Sequence, residues 1–382
     1  MTSQPDNDDV RRGAIHTVAE ISQQPRVWRQ VGGLVGAGVR GFVTPLLDRP
    51  DARVLLVGAG TSAFAGEVLA PGLRRALARR VEAVPTTDVV ANPVEYLAGD
   101  VPTLMVSFAR SGDSPESAAA TDLADRVLSE VRHLVLTCNP QGRLARAYGG
   151  QDRAHVLLMP EAADDQGFAM TSSFTSMTLA AMVGLDTSVD PSLPERLATL
   201  AEALLPSWDT AAREISGRGY QRVVYLGSGA LKGLARESAL KVLELTAGRL
   251  VAMGDSPLAF RHGPKSVLDD TTLVVVYLSN DPYTRAYDMD LLTELRRSRG
   301  SDHVLAVTAN HADPVSSSST WLLPEAADLP DAALALPAVL CAQLIALHSS
   351  MALGLTADNP FPSGEVNRVV QGVRIHPFDG PR

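Results

Sequence analysis

The sequence predicts an α/β fold with two tandem units of similar build. Each is a mainly parallel sheet of about five strands with helices on both faces, and helices precede the first unit. Two observations carry that expectation. Short runs rich in Val and Leu, bounded by turn residues, alternate with helical patterns along most of the chain. In addition, an apolar run that leads straight into a Gly/Ser/Thr loop and then a helical pattern occurs twice. The first instance is Arg53–Val57 before Gly58-Ala59-Gly60-Thr61-Ser62, and the second is Arg222–Leu226 before Gly227-Ser228-Gly229-Ala230-Leu231-Lys232. They lie about 170 positions apart, too long a period for a solenoid repeat. Each loop is suited to hold an anion at the carboxyl end of its unit's first strand.

In order along the chain, Ala14–Trp28 carries apolar side chains at Ile15, Val18, Ile21 and Val27, the pattern of a helix stopped near Pro25. The pattern stays helical up to Leu47, and Arg49-Pro50-Asp51 breaks it. Strands are expected at Val54–Val57, Val81–Pro85, Thr103–Phe108, His133–Thr137 and His155–Met159, with helices at Phe64–Ala78 and Pro115–Val131 between them. Helices continue through Ser172–Val183, and Pro191–Ile215 links the halves. The alternation restarts at Val223–Leu226, Leu250–Met253, Leu273–Leu278, Val304–Thr308 and Trp321–Leu323. The corresponding domain scheme is 1–50 for the tail and first helices, 51–190 for the first unit, 191–218 for linker helices and 219–382 for the second unit with a C-terminal tail. Side chains do not repeat closely between the halves, so the architecture is repeated without a recent duplication.

Composition narrows the functional classes. A chain of 382 residues with 45% hydrophobic content can bury one large core or two ordinary ones. Its net charge of −9 argues against nucleic-acid binding, and the cluster Arg74, Arg75, Arg79 and Arg80 falls on a helical pattern as a solvated face. The two cysteines, Cys138 and Cys341, lack metal-ligand spacing and fit a reduced, cytoplasmic setting. Met1–Val10 is acidic and polar, unlike a signal peptide. The greasiest segment, Leu334–Leu355, is interrupted by Pro337, Gln343, His348, Ser349 and Ser350 and reads as a buried or interfacial helix, not a membrane span.

The loop at Gly58–Ala63 admits three readings. It matches a dinucleotide fingerprint with Ala at the third glycine, and Asp88 at the end of the next strand would serve a ribose. Alternatively, Thr61 and Ser62 bind one phosphate at a helix N-terminus. Or the glycines only allow a tight turn and a hydroxyl caps the helix. The third strand favours the phosphate, because it ends in Ser107-Phe108-Ala109-Arg110-Ser111-Gly112-Asp113-Ser114-Pro115-Glu116-Ser117. In a doubly wound sheet that loop can face the first across a switch point, which makes a compact cradle of hydroxyls, N–H groups and one guanidinium. Simple helix capping remains a competing role for Ser114 and Ser117.

The second half offers Glu237-Ser238-Ala239-Leu240-Lys241-Val242-Leu243-Glu244. On a helix the three charges share one face, so Lys241 can pair with Glu237 while Glu244 remains available as a base for moving a proton between adjacent carbons. A solvated row of surface ion pairs is the competing account. Phe260-Arg261-His262-Gly263-Pro264-Lys265 sets a His in a tight loop, a residue type suited to proton transfer near neutral pH, though a lone loop His is often incidental.

Together these residues resemble the sugar isomerase (SIS) proteins, which include the isomerase half of glucosamine-6-phosphate synthase. The resemblance covers nearly the whole chain from about Thr17, where Glu20-Ile21-Ser22-Gln23-Gln24-Pro25 is similar to that family's lead-in helix. No amidotransferase segment precedes it, so glutamine is not expected as a built-in nitrogen donor. Within the family, Ser107–Ser117, Gly167-Phe168-Ala169-Met170-Thr171-Ser172-Ser173-Phe174 and Gly364-Glu365-Val366-Asn367-Arg368-Val369-Val370-Gln371-Gly372 resemble signatures of the AgaS branch. Proteins of that branch are described as galactosamine-6-phosphate deaminase/isomerases or tagatose-6-phosphate ketose/aldose isomerases.

The resemblance implies tandem SIS domains and roles for particular residues. Thr61, Ser62, Arg110, Ser111 and Ser114 fall on the phosphate loops. Glu244 matches the carbon-to-carbon proton-transfer base, and Glu237 and Lys241 match positions lining the same pocket. His262 matches the ring-opening His, which in the synthase comes from the neighbouring subunit, so a homodimer or larger homo-oligomer with a subunit-shared site is implied. Thr171 and Ser172 fall on a loop near the substrate. Arg368 lies nearest the position of the synthase's C-terminal lysine, but a guanidinium stays protonated and cannot readily form a Schiff base. The expected substrate is an amino-sugar 6-phosphate, with no cofactor, metal, nucleic acid or membrane. The rival readings are an aldose–ketose isomerase without deamination, a non-catalytic sugar-phosphate sensor and a dinucleotide-dependent enzyme.

Overall fold

The structure is a computed structural model and describes residues 13–310, 319–370 and 372–380. The acidic Met1–Val10 stretch and Gln371 of the last signature lie outside them.

Among the described residues, the alternation of apolar runs and helices becomes ten strands: β1 Arg53–Gly58, β2 Arg80–Pro85, β3 Thr103–Phe108, β4 Val131–Thr137, β5 Ala154–Leu158, β6 Arg222–Leu226, β7 Val251–Asp255, β8 Thr272–Tyr277, β9 Val304–Thr308 and β10 Thr320–Leu322. They form two five-stranded sheets, ordered β2-β1-β3-β4-β5 and β10-β9-β8-β6-β7. Read from its other edge, the second sheet has the same order as the first. Every pairing is parallel, with Val57 opposite Ser107 in one sheet and Leu226 opposite Val276 in the other. Strands buried on both faces need continuous apolar runs, which explains why β1, β3 and β8 are buried at every position.

The residues cluster into two compact units, each assembled from separate stretches of chain. One takes Arg26–Asp164, Ser172–Glu195 and the residues from Ser363 onward, and it contains β1–β5. The other takes the residues up to Pro25, Asp165–Thr171 and Arg196–Pro362, and it contains β6–β10. In the first, Leu55, Val57, Met105, Ala120, Leu123 and Val131 form a core cluster. In the second, Val224, Leu226, Val274, Val276, Leu291 and Leu295 do the same.

Helix boundaries differ from the sequence expectations in two informative places. The opening helix ends at Ser22 and a second runs Gln24–Leu34, so Pro25 begins a helix instead of stopping one. Proline is tolerated there because a first-turn N–H has no intrahelical partner. The helix from Pro115 ends at Val127, because Val131 is already pairing in β4.

The greasy segment forms the helix Asp331–Ala352, long and apolar enough to cross a membrane, yet its apolar window is wholly buried. It packs against the helix Ala230–Leu245 in the β6–β10 unit. An all-round apolar helix is what the centre of a core requires.

Candidate active site

β1 and β3 are neighbours, although the chain visits β2 between them, so their following loops open at one end of the sheet at a switch point. After β1 the chain turns at Gly60, with φ 55° and ψ −127°, and the helix Thr61–Leu77 starts. A positive φ favours glycine at that position. A Cβ on Gly58 would lie 2.6 Å from the backbone of Ser62, so that site also excludes a side chain. Thr61 and Ser62 are buried in the first turn, and Gly60, not either hydroxyl, occupies the cap position. The reading in which Thr61 or Ser62 caps the helix is therefore not realised.

The β3 loop is braced by the loop after β4. Thr137 Oγ1 donates to the Arg110 carbonyl at 3.2 Å, and Asn139 Nδ2 donates to the Ser111 carbonyl at 3.0 Å. Gly112 has φ 68°, and its carbonyl accepts from Leu144 N–H at 3.0 Å. The buried Arg110 guanidinium donates through Nη2 to the carbonyl of Arg368 at 3.1 Å, while the Arg368 guanidinium lies 3.9 Å from Asp164. Ser111 Oγ accepts from Asp113 N–H at 3.2 Å. Ser114 caps the helix Pro115–Val127 by accepting from Ser117 N–H at 3.4 Å, and it also donates to Glu116 at 2.8 Å. Capping is thus real for Ser114, and Ser117 receives the cap. Thr61, Ser62, Arg110, Ser111, Ser114 and Arg368 all belong to the β1–β5 unit.

Asp88 sits in the helix Thr86–Ala91, past the end of β2, and not at the strand terminus where a ribose contact would place it.

In the β6–β10 unit, Gly229 repeats the turn of Gly60 with φ 56° and ψ −122°. Here the cradle holds a carboxylate of the chain itself. Buried Asp288 accepts from Ser228 Oγ at 2.5 Å and from Ser279 N–H at 3.0 Å. Asp331 accepts from Ser279 Oγ at 2.5 Å and from Asn280 N–H at 2.8 Å. Burial pushes the Asp288 carboxyl up to about 6, against the hydrogen bonds from Ser228 and Ser279. The two loops share a turn conformation, and in the second the cradle is filled by Asp288.

The same unit carries Glu237, Lys241 and Glu244 on one face of the helix Ala230–Leu245. Lys241 Nζ lies 3.4 Å from Glu237 and 2.5 Å from Glu244. Lys241 and Glu237 have no exposed side-chain surface, while 24% of Glu244 is exposed. The competing account of a solvated surface row is therefore not realised, and Lys241 engages Glu244 as well as the expected Glu237. Burial alone would depress the ammonium, but the two carboxylates outweigh it and hold the Lys241 pKa above its ordinary value.

His262 is exposed on the turn between the helix Pro257–Phe260 and the short turn Pro264–Val267. Among the described residues, no hydrogen bond or ion pair joins it to the Glu237–Glu244 row. Thr171 is buried, and its N–H and Oγ1 donate to Asp165 at 2.8 and 3.1 Å. Ser172, also buried, opens the helix Ser172–Leu185.

The SIS domain pattern matches residues 47–185 and 218–352, and the chain belongs to the SIS domain family. Within that family its similarity to AgaS proteins spans almost its full length. It is 58% identical over 381 residues to the AgaS protein of Streptomyces coelicolor, covering 98% of this chain and 99% of the relative. It is 46% identical over 367 residues to the D-galactosamine-6-phosphate deaminase AgaS of Escherichia coli, covering 95% of this chain and 96% of the relative. The crystal structure of tagatose-6-phosphate ketose/aldose isomerase from Escherichia coli matches with a TM-score of 0.89 and 43% identity, over 96% of this chain and 97% of the other.

Proposed function

We propose that this protein is a deaminase/isomerase of an amino-sugar 6-phosphate, converting galactosamine 6-phosphate and water to tagatose 6-phosphate and ammonia. The observation that carries the reading is the buried Glu237–Lys241–Glu244 row, whose last carboxylate alone reaches solvent. Near-full-length similarity to galactosamine-6-phosphate deaminases supports the choice of substrate.

In this account Thr61, Ser62, Arg110, Ser111 and Ser114 bind the phosphate, with Arg368, Thr171 and Ser172 contacting the substrate. Binding energy from that remote group fixes the reacting carbons. His262 assists ring opening of the sugar. Glu244 then removes the proton from C2 of the open-chain aldehyde, and the electron pair forms an enolamine. Returning the proton to C1 gives a ketimine at C2. Water adds to that carbon, the C–N bond breaks, and ammonia leaves with tagatose 6-phosphate. Lys241 and Glu237 line the pocket and hold Glu244 in place. An exposed His262 accords with donation to a neighbouring subunit, so we assign the working enzyme as at least a homodimer. A cytoplasmic setting accords with two buried cysteines that form no disulfide.

A second reading, aldose–ketose isomerisation without loss of nitrogen, is favoured by the name of the structural neighbour from Escherichia coli. It uses the same residues and differs only in substrate. An ammonia-release assay across galactosamine, glucosamine and N-acetylated 6-phosphates, run beside a tagatose 6-phosphate isomerisation assay, separates the two. Ammonia from galactosamine 6-phosphate supports deamination. Isomerisation with no ammonia from any amino sugar selects the second reading.

A further inference from the structure

The loop Asp165–Thr171 ends at a residue that the proposed function places at the substrate, yet the groups that shape it come from the first helix. Glu20, on the helix Ile15–Ser22, is buried. One of its oxygens accepts from the N–H of Gln166 and, at 3.0 Å, from the N–H of Gly167, while the other lies 3.2 Å from the same Gly167 N–H. A Cβ on Gly167 would stand 2.9 Å from Glu20 Oε2 and 3.0 Å from Thr17 Oγ1, so glycine is what lets the carboxylate close on the backbone. At the other end of the loop, Asp165 ties down the N–H and hydroxyl of Thr171. The helix bearing Glu20 is itself anchored, since Asp358 accepts from the N–H groups of His16 and Thr17 at 3.1 and 2.8 Å.

We propose that Glu20 is a positioning residue for the substrate loop: its carboxylate grips the Gln166 and Gly167 amides and thereby fixes Thr171 where it meets the sugar phosphate. This inference rests on the assignment of Thr171 to the substrate site. A carboxylate accepting backbone N–H groups forms charge-assisted bonds that a neutral acid makes less well. Burial and the neighbouring Asp165 raise the Glu20 carboxyl to about 7, with Asp358 adding to the rise and the two backbone amides opposing it. The grip therefore tightens as pH rises through neutrality, which gives it a signature that a merely structural contact lacks.

The test is Glu20→Gln, which retains shape and one acceptor but does not titrate, with Glu20→Asp as a shorter carboxylate. Amide hydrogen exchange on the free full-length protein should speed up at least tenfold at Gln166, Gly167 and Thr171 in E20Q, with β1–β10 unchanged. With galactosamine 6-phosphate, E20Q should raise KM about tenfold with kcat within threefold, and KM should depend on pH less steeply around neutrality than it does in wild type. In E20D, a carboxylate that cannot reach both amides should give intermediate exchange and keep a pH dependence. Unchanged exchange at the three amides in E20Q overturns the proposal whatever the substrate. Faster exchange with no change in KM or pH profile shows a clamp that does not serve the substrate and also overturns it. If wild-type protein turns over no amino sugar, calorimetric binding of tagatose 6-phosphate replaces KM. Loss of affinity in E20Q then supports the clamp although the deaminase reading has failed, and unchanged affinity sinks it.

Discussion

The ammonium of Lys241 lies 2.5 Å from a carboxylate oxygen of Glu244 and has no exposed surface of its own. A second carboxylate, Glu237, stands behind it at 3.4 Å. Removing the cation strands two negative charges, one of them fully buried, which costs far more than losing an exposed pair. Lys241→Met should lower unfolding free energy by about 3–5 kcal/mol, as measured by urea denaturation. Adding Glu237→Gln to that variant should restore part of the stability but none of the activity, because Glu244 would still lack its partner. An equally stable single variant would show that the row is not the buried unit described.

Arg110, in the loop after β3, donates to the carbonyl of Arg368, and the proposed function places it at the phosphate. Arg110→Ala should raise KM for a phosphorylated sugar by about 10–100-fold, the worth of one charge-assisted hydrogen-bonding group. Steady-state kinetics against R110K provide the check, with the lysine retaining part of the effect because it keeps charge but loses the fork.

Asp125 in the β1–β5 unit accepts from His133 Nε2 at 2.8 Å and Tyr148 OH at 2.9 Å and pairs with Arg153. Burial opposes its ionised form, yet the hydrogen bonds from His133 and Arg153 outweigh burial and hold it down to about 2. A depressed carboxylate contributes stability that is present above its ordinary pKa and lost as pH falls through the folded value. Asp125→Asn should thus cost about 2 kcal/mol at pH 6, with the deficit shrinking between pH 4 and pH 2. Denaturation at those pH values tests it, and a constant deficit would contradict the assignment.

Asp288 gives the opposite sign. Its carboxyl is raised to about 6, so the stability linked to it is complete below the ordinary carboxylate pKa and is lost as pH rises through 6. The stability gap between wild type and Asp288→Asn should narrow by about 2–3 kcal/mol from pH 4 to pH 7. Thermal or urea denaturation across that range reads it.

Much of this was legible in the sequence, for identifiable physical reasons. β3 and β9 match their expected spans because strands covered on both faces must be continuously apolar, and turn residues mark their ends. The helices Thr86–Ala91, Pro93–Tyr96 and Arg143–Tyr148 went unforeseen, being too short to show a period. The spacing of Glu237, Lys241 and Glu244 places them on one helix face, but the burial of that face is set by tertiary packing that the spacing does not encode. The sequence of the Gly227–Lys232 loop does not show that its cradle is filled from within the chain. The group that fills it, Asp288, reaches Ser228 across 60 positions of sequence. Glu20 belongs to the family's lead-in motif, but its hold on Gly167, 147 residues away, is a tertiary contact that no local pattern encodes.

Under the proposed function, Glu244 moves the proton whose transfer releases nitrogen from an amino-sugar phosphate. The most direct measurement is ammonia and tagatose 6-phosphate formation from galactosamine 6-phosphate by wild type and Glu244→Gln, with folding of both verified by denaturation. Wild type should form equal amounts of the two products, and E244Q should lose at least about 100-fold in kcat, the scale of a removed general base. Full turnover by E244Q, or isomerase activity in a wild type that releases no ammonia from any amino sugar, would contradict it.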